Sequence, residues 1–245
     1  MTALDPRLES PRVAETDLTH TARTTGLLYL GFFVTGILGS LVVRGQIYDA
    51  DAASATLANL VEHEWLARVG IALELAIVLA QALTALWFYR LFRRVDTFAA
   101  GSLAVFGMVN AVAILVSAGL LATAVDVSND PSLGGGAGRA ATVQLLYVAS
   151  GHLWGVAALF FGLWLIPMAW LVIHSGWLPR TLGWVLGAGG VGYVVSAFVT
   201  YLVDGATTIA QLLTLPSVVG ELWIMGYLIV VARPDAAARP IPAQR

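Results

Sequence analysis

The chain has 245 residues, 58% of them hydrophobic and only 11% charged, with a net charge of −2. A soluble domain carries about a quarter charged residues, so an ordinary water-soluble fold is excluded, and with no basic excess so is nucleic acid as a partner. There is no cysteine, and all 13 basic residues are arginine, which removes disulfides, thiol nucleophiles, Schiff-base lysines and the phosphate-loop lysine.

Residues 1–22 are polar and of mixed charge (Asp5, Arg7, Glu9, Arg12, Glu15, Asp17). They read as a disordered cytoplasmic tail rather than a secretory leader. A transmembrane domain follows over residues 23–233. A helix needs about 20 apolar residues to cross the hydrocarbon core, and six stretches qualify. They are Thr24–Val43, Leu66–Tyr89 interrupted by Glu74, Thr97–Ala124, Thr142–Ile173 with His152 and Pro167, Thr181–Val203, and Leu212–Ala232 interrupted by Glu221. Residues 234–245 form a short C-terminal tail. No alternating strand pattern competes, and only helices or closed barrels satisfy the backbone in lipid. The expected fold is an all-α integral membrane bundle of six transmembrane helices.

Arginine placement sets the orientation. With the N-terminus inside, ten arginines are cytoplasmic and only Arg44, Arg68 and Arg139 fall outside, so both termini are expected in the cytoplasm. Trp65, Trp87 and Trp177 lie where interfacial aromatics belong. The inner connections, Arg90–Asp96 and Ser175–Arg180, are short. The first outer connection holds an amphipathic stretch, Asp51–Val61, read as a short outer-surface helix with Asp51 as its N-cap. The second, Val127–Arg139, is rich in glycine. Gly183, Gly187 and the glycines from Gly31 to Gly39 suit close helix packing; a homo-oligomer is left open.

Local signatures then resemble a known family. They are Ala22-Arg23-Thr24-Thr25-Gly26-Leu27-Leu28-Tyr29-Leu30, Leu66-Ala67-Arg68-Val69-Gly70, Phe160-Phe161-Gly162-Leu163-Trp164, His174-Ser175-Gly176-Trp177-Leu178-Pro179-Arg180-Thr181-Leu182-Gly183, Gly192-Tyr193, and Pro216 to Glu221. Together they resemble the bacterial membrane family called domain of unknown function 4386 (DUF4386), over about Arg23 to Ala232. The resemblance implies six spans and a bacterial inner (cytoplasmic) membrane. It brings no established activity, so no catalytic residue is carried over.

Ionisable groups inside a membrane are costly and mark candidate sites. Glu74, His152 and Glu221 each lie roughly 12–15 Å below the outer boundary at 1.5 Å per residue, in one layer. Polar stripes flank them at helical spacing: Gln81 below Glu74, Asn110 with Ser117, Tyr193 with Ser196 and Thr200, and Ser217 with Glu221. The candidate site is thus Glu74, His152, Glu221, Asn110, Gln81, Tyr193, Ser196, Thr200 and Ser217, lining a polar cavity in the outer half of the bundle. The plainer alternative is interhelical hydrogen bonding, favoured for Asn110 and Gln81. Arg68 is expected to pair with Glu64 one turn earlier.

Three functional readings follow. The favoured one is binding or movement of a small amphipathic or apolar molecule, with the bilayer as the chain's other partner. The second is an intramembrane enzyme using Glu74 and Glu221 as acid and base on a lipid or isoprenoid. The third is a non-catalytic membrane component. No cofactor or metal is expected, and Ser150 and His152 are too close on one helix to form a hydrolytic pair.

Overall fold

A computed structural model describes residues 11–134 and 138–230, and no strand occurs among them. Helix α1 (Pro11–Ile37) runs on as a π-helical segment, Leu38–Arg44, into the short α2 (Gly45–Ile47) and then α3 (Ala53–Glu62). The rest are α4 (Glu64–Phe92), α5 (Thr97–Asn129), the four-residue α6 (Pro131–Gly134), α7 (Gly138–His174), α8 (Arg180–Leu202) and α9 (Thr207–Val230). Five of them, α4, α5, α7, α8 and α9, are long and apolar enough to cross a membrane. The chain is therefore a multi-pass membrane protein.

The apolar runs of the sequence coincide with these helices, but the ends differ. Helix α1 starts at Pro11, so residues 11–22 extend the helix instead of forming an irregular tail. Proline suits a first helical turn, and no glycine or further proline stands between Pro11 and Gly26. Thr21 and Ala22 are buried. Residues 1–10 and 231–245, which include the expected C-terminal tail, lie outside the described residues. Helix α5 continues to Asn129 and takes up part of the expected glycine-rich loop.

The six long helices close a ring. Each packs on the next in the order α1, α4, α5, α7, α8, α9, and α9 returns to α1. An aromatic cluster fills the middle. Trp164 of α7 meets Phe88 of α4 edge-on and tilts against Tyr29 of α1, while Phe92 stacks on Phe88. These rings are buried, and edge-on aromatic contacts add to their burial energy. Leucines and valines that face away, such as Leu79, Val112 and Leu145, are exposed, as lipid-facing residues should be. Helix α8 approaches α9 closely: a Cβ added at Gly192 would land on the Leu213 carbonyl, and one at Gly189 would meet Ser217 backbone at 2.5 Å.

Two connections are built by identifiable local chemistry. The α7–α8 turn holds Gly176 at φ 75, a left-handed conformation that glycine adopts without a Cβ penalty. Ser175 Oγ donates to the Val172 carbonyl and accepts from the Leu178 N–H. Trp177 stacks on Phe92, and its carbonyl accepts from the Tyr227 hydroxyl. The conspicuous Ser-Gly-Trp-Leu-Pro-Arg run is thus a turn that docks on α4 and α9.

At the other end, α3 lies over α7, α5 and α4, with Leu60 and Thr56 buried. A short helix does form here, Ala53–Glu62, but its cap is not Asp51. Ala52 holds the N-cap position and makes no side-chain cap bond, while Asp49 Oδ1 accepts the N–H groups of Asp51 and Ala52. Asp49 wins because its carboxylate precedes the turn, where two free N–H groups converge. The expected Arg68–Glu64 pair is present at 2.6 Å.

Two outcomes are expected. Gly176→Ala should cost about 1–2 kcal/mol from the left-handed backbone alone, read as a lower thermal midpoint in detergent. Asp96 caps α5 by accepting from the Ala99 N–H, and that bond, then the Trp170 indole N–H, holds its carboxyl below the usual aspartate range. A depressed folded value means the stabilisation is complete above the unfolded value, about 3.9, and is lost as pH falls through the folded one. Asp96→Ala should lower the midpoint at neutral pH and narrow its gap to wild type in acid.

Candidate functional site

One end of the ring holds a partly open cavity of about 270 Å³ between α1 with its π-helical extension and α2, α4, α5 and α7. Glycines make the room: Gly36 and Gly39 on the α1 side, Gly70 on α4 and Gly151 on α7. Val43, Ile47, Ile77 and Leu121 provide apolar wall. Four residues bring polarity, namely Glu74, Arg44, Tyr147 and Trp154, and all border the cavity. The π-helical stretch carries Arg44 here. Such stretches are rare and recur at functional sites.

Glu74 is 7% exposed. Its Oε1 accepts from the Ser117 hydroxyl at 3.1 Å and from Trp154 Nε1 at 3.0 Å. Its Oε2 is buried and no donor reaches it among the described residues. Ser117 spends its single proton on Glu74, so in its 2.8 Å contact with Ser150 it is Ser150 that donates. Ser150 in turn accepts from Arg44 Nη1 at 3.1 Å. A directed chain therefore runs from the Arg44 guanidinium through Ser150 and Ser117 to the Glu74 carboxyl. Arg44 Nη2 donates to the Tyr147 carbonyl at 2.6 Å, and the guanidinium lies 5.2 Å from the Tyr48 ring centre and 5.8 Å from that of Tyr147. Those rings stack on each other and help hold the cation.

Glu221 belongs to a different place. It accepts from the Tyr29 hydroxyl at 2.6 Å, joining α9 to α1. It does not border the cavity. His152 is exposed and contacts only the Tyr201 hydroxyl, at 3.4 Å, among its hydrogen-bond partners here. Ser150 and Trp154, one turn apart, face Glu74; His152 sits two positions from each and so points the opposite way. Depth along the helices placed the three groups in one layer, but depth carries no azimuth. The expected convergence of Glu74, His152 and Glu221 on one interior is therefore corrected: Glu74 alone of the three borders the cavity.

The remaining candidates are also distributed. Asn110 donates to Gln81 at 3.0 Å, a buried bond between α5 and α4. Ser196, Thr200 and Ser217 each donate to a carbonyl of their own helix, those of Tyr193, Ser196 and Thr214. Tyr193 stacks on Phe161. None of these borders the cavity. Arg44 and Ser150 were not candidates from sequence. Arg44 closes the first apolar run and reads as an orientation charge; its rarity on that side was the only signal.

The family profile described as Domain of unknown function (DUF4386) matches residues 24–232. The chain belongs to that family. The match covers the helices that carry Arg44, Glu74 and Glu221 alike, so the DUF4386 unit includes both the cavity and the Tyr29–Glu221 contact. Neither the curated proteins nor the solved structures contain a match.

Two substitutions separate the two polar clusters. Tyr29→Phe removes the donor to Glu221 and keeps the ring packing; it should cost about 1–3 kcal/mol. Trp154→Phe removes a donor to Glu74 and part of the ring packed on the core, and should cost at least as much. Because the clusters share no hydrogen bond, the double variant should show the sum of the two losses within about 0.5 kcal/mol. Thermal melts of the four proteins in one detergent measure this.

Proposed function

We propose that this chain binds, and in doing so holds or passes on, a small amphipathic or apolar molecule in the Glu74 cavity. One observation carries the reading: the buried Glu74, with Arg44 and Trp154 beside it, borders an otherwise largely apolar cavity. Sites of this make-up, apolar with a few placed polar groups, are typical of small-molecule binding. The intramembrane acid–base reading draws no support from the geometry, since Glu221 and Glu74 have separate partners.

The setting for this function is a six-span bundle in a bacterial inner membrane, with both termini cytoplasmic. The sixth span is α1. It completes the ring between α4 and α9, and Leu27, Leu30, Val34 and Ile37 are exposed at helical spacing. The arginine distribution then puts the cavity in the outer half, beneath α3.

Gly39 offers a direct test. A Cβ there would rest in ordinary contact with Leu73 and Ile77, so a leucine should enter the cavity without displacing the backbone. Protein extracted gently from its own membrane should carry a small-molecule adduct in native mass spectrometry, and Gly39→Leu should lose it at least about tenfold. Equal adducts in both proteins, or none in either, would sink the proposal.

A further inference from the structure

We infer that the cavity's ligand is an amphipathic anion, its carboxylate or phosphate head held by Arg44 and its apolar body by the cavity wall. This rests on the binding role proposed for the cavity and specifies its chemistry. An arginine at the end of a span ordinarily reaches outward to water. Arg44 turns inward instead. It donates to Ser150, which is fully buried, and to the Tyr147 carbonyl. Its Nη2 lies 2.9 Å from the place a Cβ of Gly151 would take, so glycine at that position lets the guanidinium lie against α7. The side chain borders the cavity and is partly exposed.

Charge selects the ligand. Both acceptors on Arg44 are neutral, and no carboxylate among the described residues pairs with it. The Tyr48 and Tyr147 rings beside it carry no charge either. Glu74 does not take that place. Its Oε1 is held by Ser117 and Trp154, its Oε2 is sealed within the protein, and the Ser117 and Ser150 hydroxyls stand between it and Arg44. A carboxyl can also shed its charge by taking up a proton, whereas a guanidinium in a protein keeps its own. The fixed charge at this cavity is therefore positive, and in a poorly solvated space it calls for an anion. The bonds to Ser150 and Tyr147 leave further N–H donors of the guanidinium over. A carboxylate or a phosphate is what its fork geometry fits.

The walls select against a bare ion. Val43, Ile47, Ile77 and Leu121 border the same space and give an inorganic anion nothing but Arg44 to replace its water. An anion carried on an apolar body satisfies the guanidinium and the walls together. A protonated amine would add a second cation, and an alcohol would leave the first uncompensated. Two sources supply the required chemistry: a free acid with a hydrocarbon tail, and the headgroup phosphate of a membrane lipid.

The test uses the full chain in phosphatidylcholine nanodiscs at neutral pH. The probes share one tail length (octanoate, octyl phosphate, 1-octanol and octylammonium), and acetate serves as a head without a tail. Binding is measured calorimetrically against Gly39→Leu, which subtracts partition into the bilayer. Wild type should hold one or both octyl anions at least about tenfold more tightly than 1-octanol. Octylammonium should bind more weakly than the alcohol, and acetate more weakly than octanoate. Octanoate ahead of octyl phosphate supports a free acid; the reverse order supports a lipid phosphate. Arg44→Gln should lose the preference for the anions, and Arg44→Lys, which keeps the charge, should retain one. If the alcohol or the amine equals both anions on wild type, the anion assignment is overturned and the binding role stands. Unchanged anion binding in Arg44→Gln overturns it as well, and so does acetate binding as tightly as octanoate. If no probe binds above the Gly39→Leu background, both fall. Should Arg44→Gln not fold, the wild-type ranking decides alone.

Discussion

A polar side chain surrounded by hydrocarbon has no water to turn to, so its partner must come from another helix or from its own backbone. That constraint organises this molecule. Tyr29 with Glu221 joins α1 to α9, Gln81 with Asn110 joins α4 to α5, Ser117 with Ser150 joins α5 to α7, and Trp154 with Glu74 joins α7 to α4. Each bond lies between helices that border one another or the same interior space. The ring's polar contacts are few, and each constrains how two helices are turned toward one another. Apolar packing is permissive about rotation; a buried hydrogen bond at 2.6–3.1 Å is not.

Within that scheme a few buried atoms lack a partner among the described residues, Asn110 Oδ1, Gln144 Oε1 and Trp164 Nε1 among them, and Glu74 is the one that borders the cavity. Its first oxygen is doubly satisfied and its second is left over. The cavity beside it exists because glycines stand at Gly36, Gly39, Gly70 and Gly151. Two of these are under pressure from neighbours: a Cβ at Gly70 would meet Val43 at 2.7 Å, and one at Gly151 would meet Arg44 at 2.9 Å. The small residues therefore do two jobs. They let the π-helical extension of α1 settle against α4, and they let the Arg44 guanidinium lie across α7. The energetic reading is that local close packing around the rim keeps a space open at its centre.

The two ends of the bundle are finished differently. At one end, α3 and the Asp49 turn cover the ring, and Gln144 of α7 donates to the Asp49 carbonyl at 2.8 Å. At the other, the Gly176 turn and the Asp96 cap are short and tightly bonded. The covered end is the one with the cavity. Val43, Arg44 and Ile47 form part of its wall, and Asn59 of α3 donates to the Ile47 carbonyl at 3.3 Å.

The apolar runs by themselves determined that the chain is a helical membrane protein, and they located each long helix to within a few residues at most ends. The physical reason is that a span of about 20 apolar residues is a one-dimensional property of the chain. The start of α1 and the extent of α5 were less legible, because helix continues past the membrane wherever no glycine or proline stops it. Glu74 was legible as a buried carboxyl for the same one-dimensional reason. What only the tertiary structure decided was rotation and neighbourhood: that Glu221 turns to Tyr29, that His152 turns outward, and that Arg44 reaches across to Ser150. Depth follows from counting residues along a helix, but which face meets which neighbour depends on how six helices pack together, and no single run of sequence contains that.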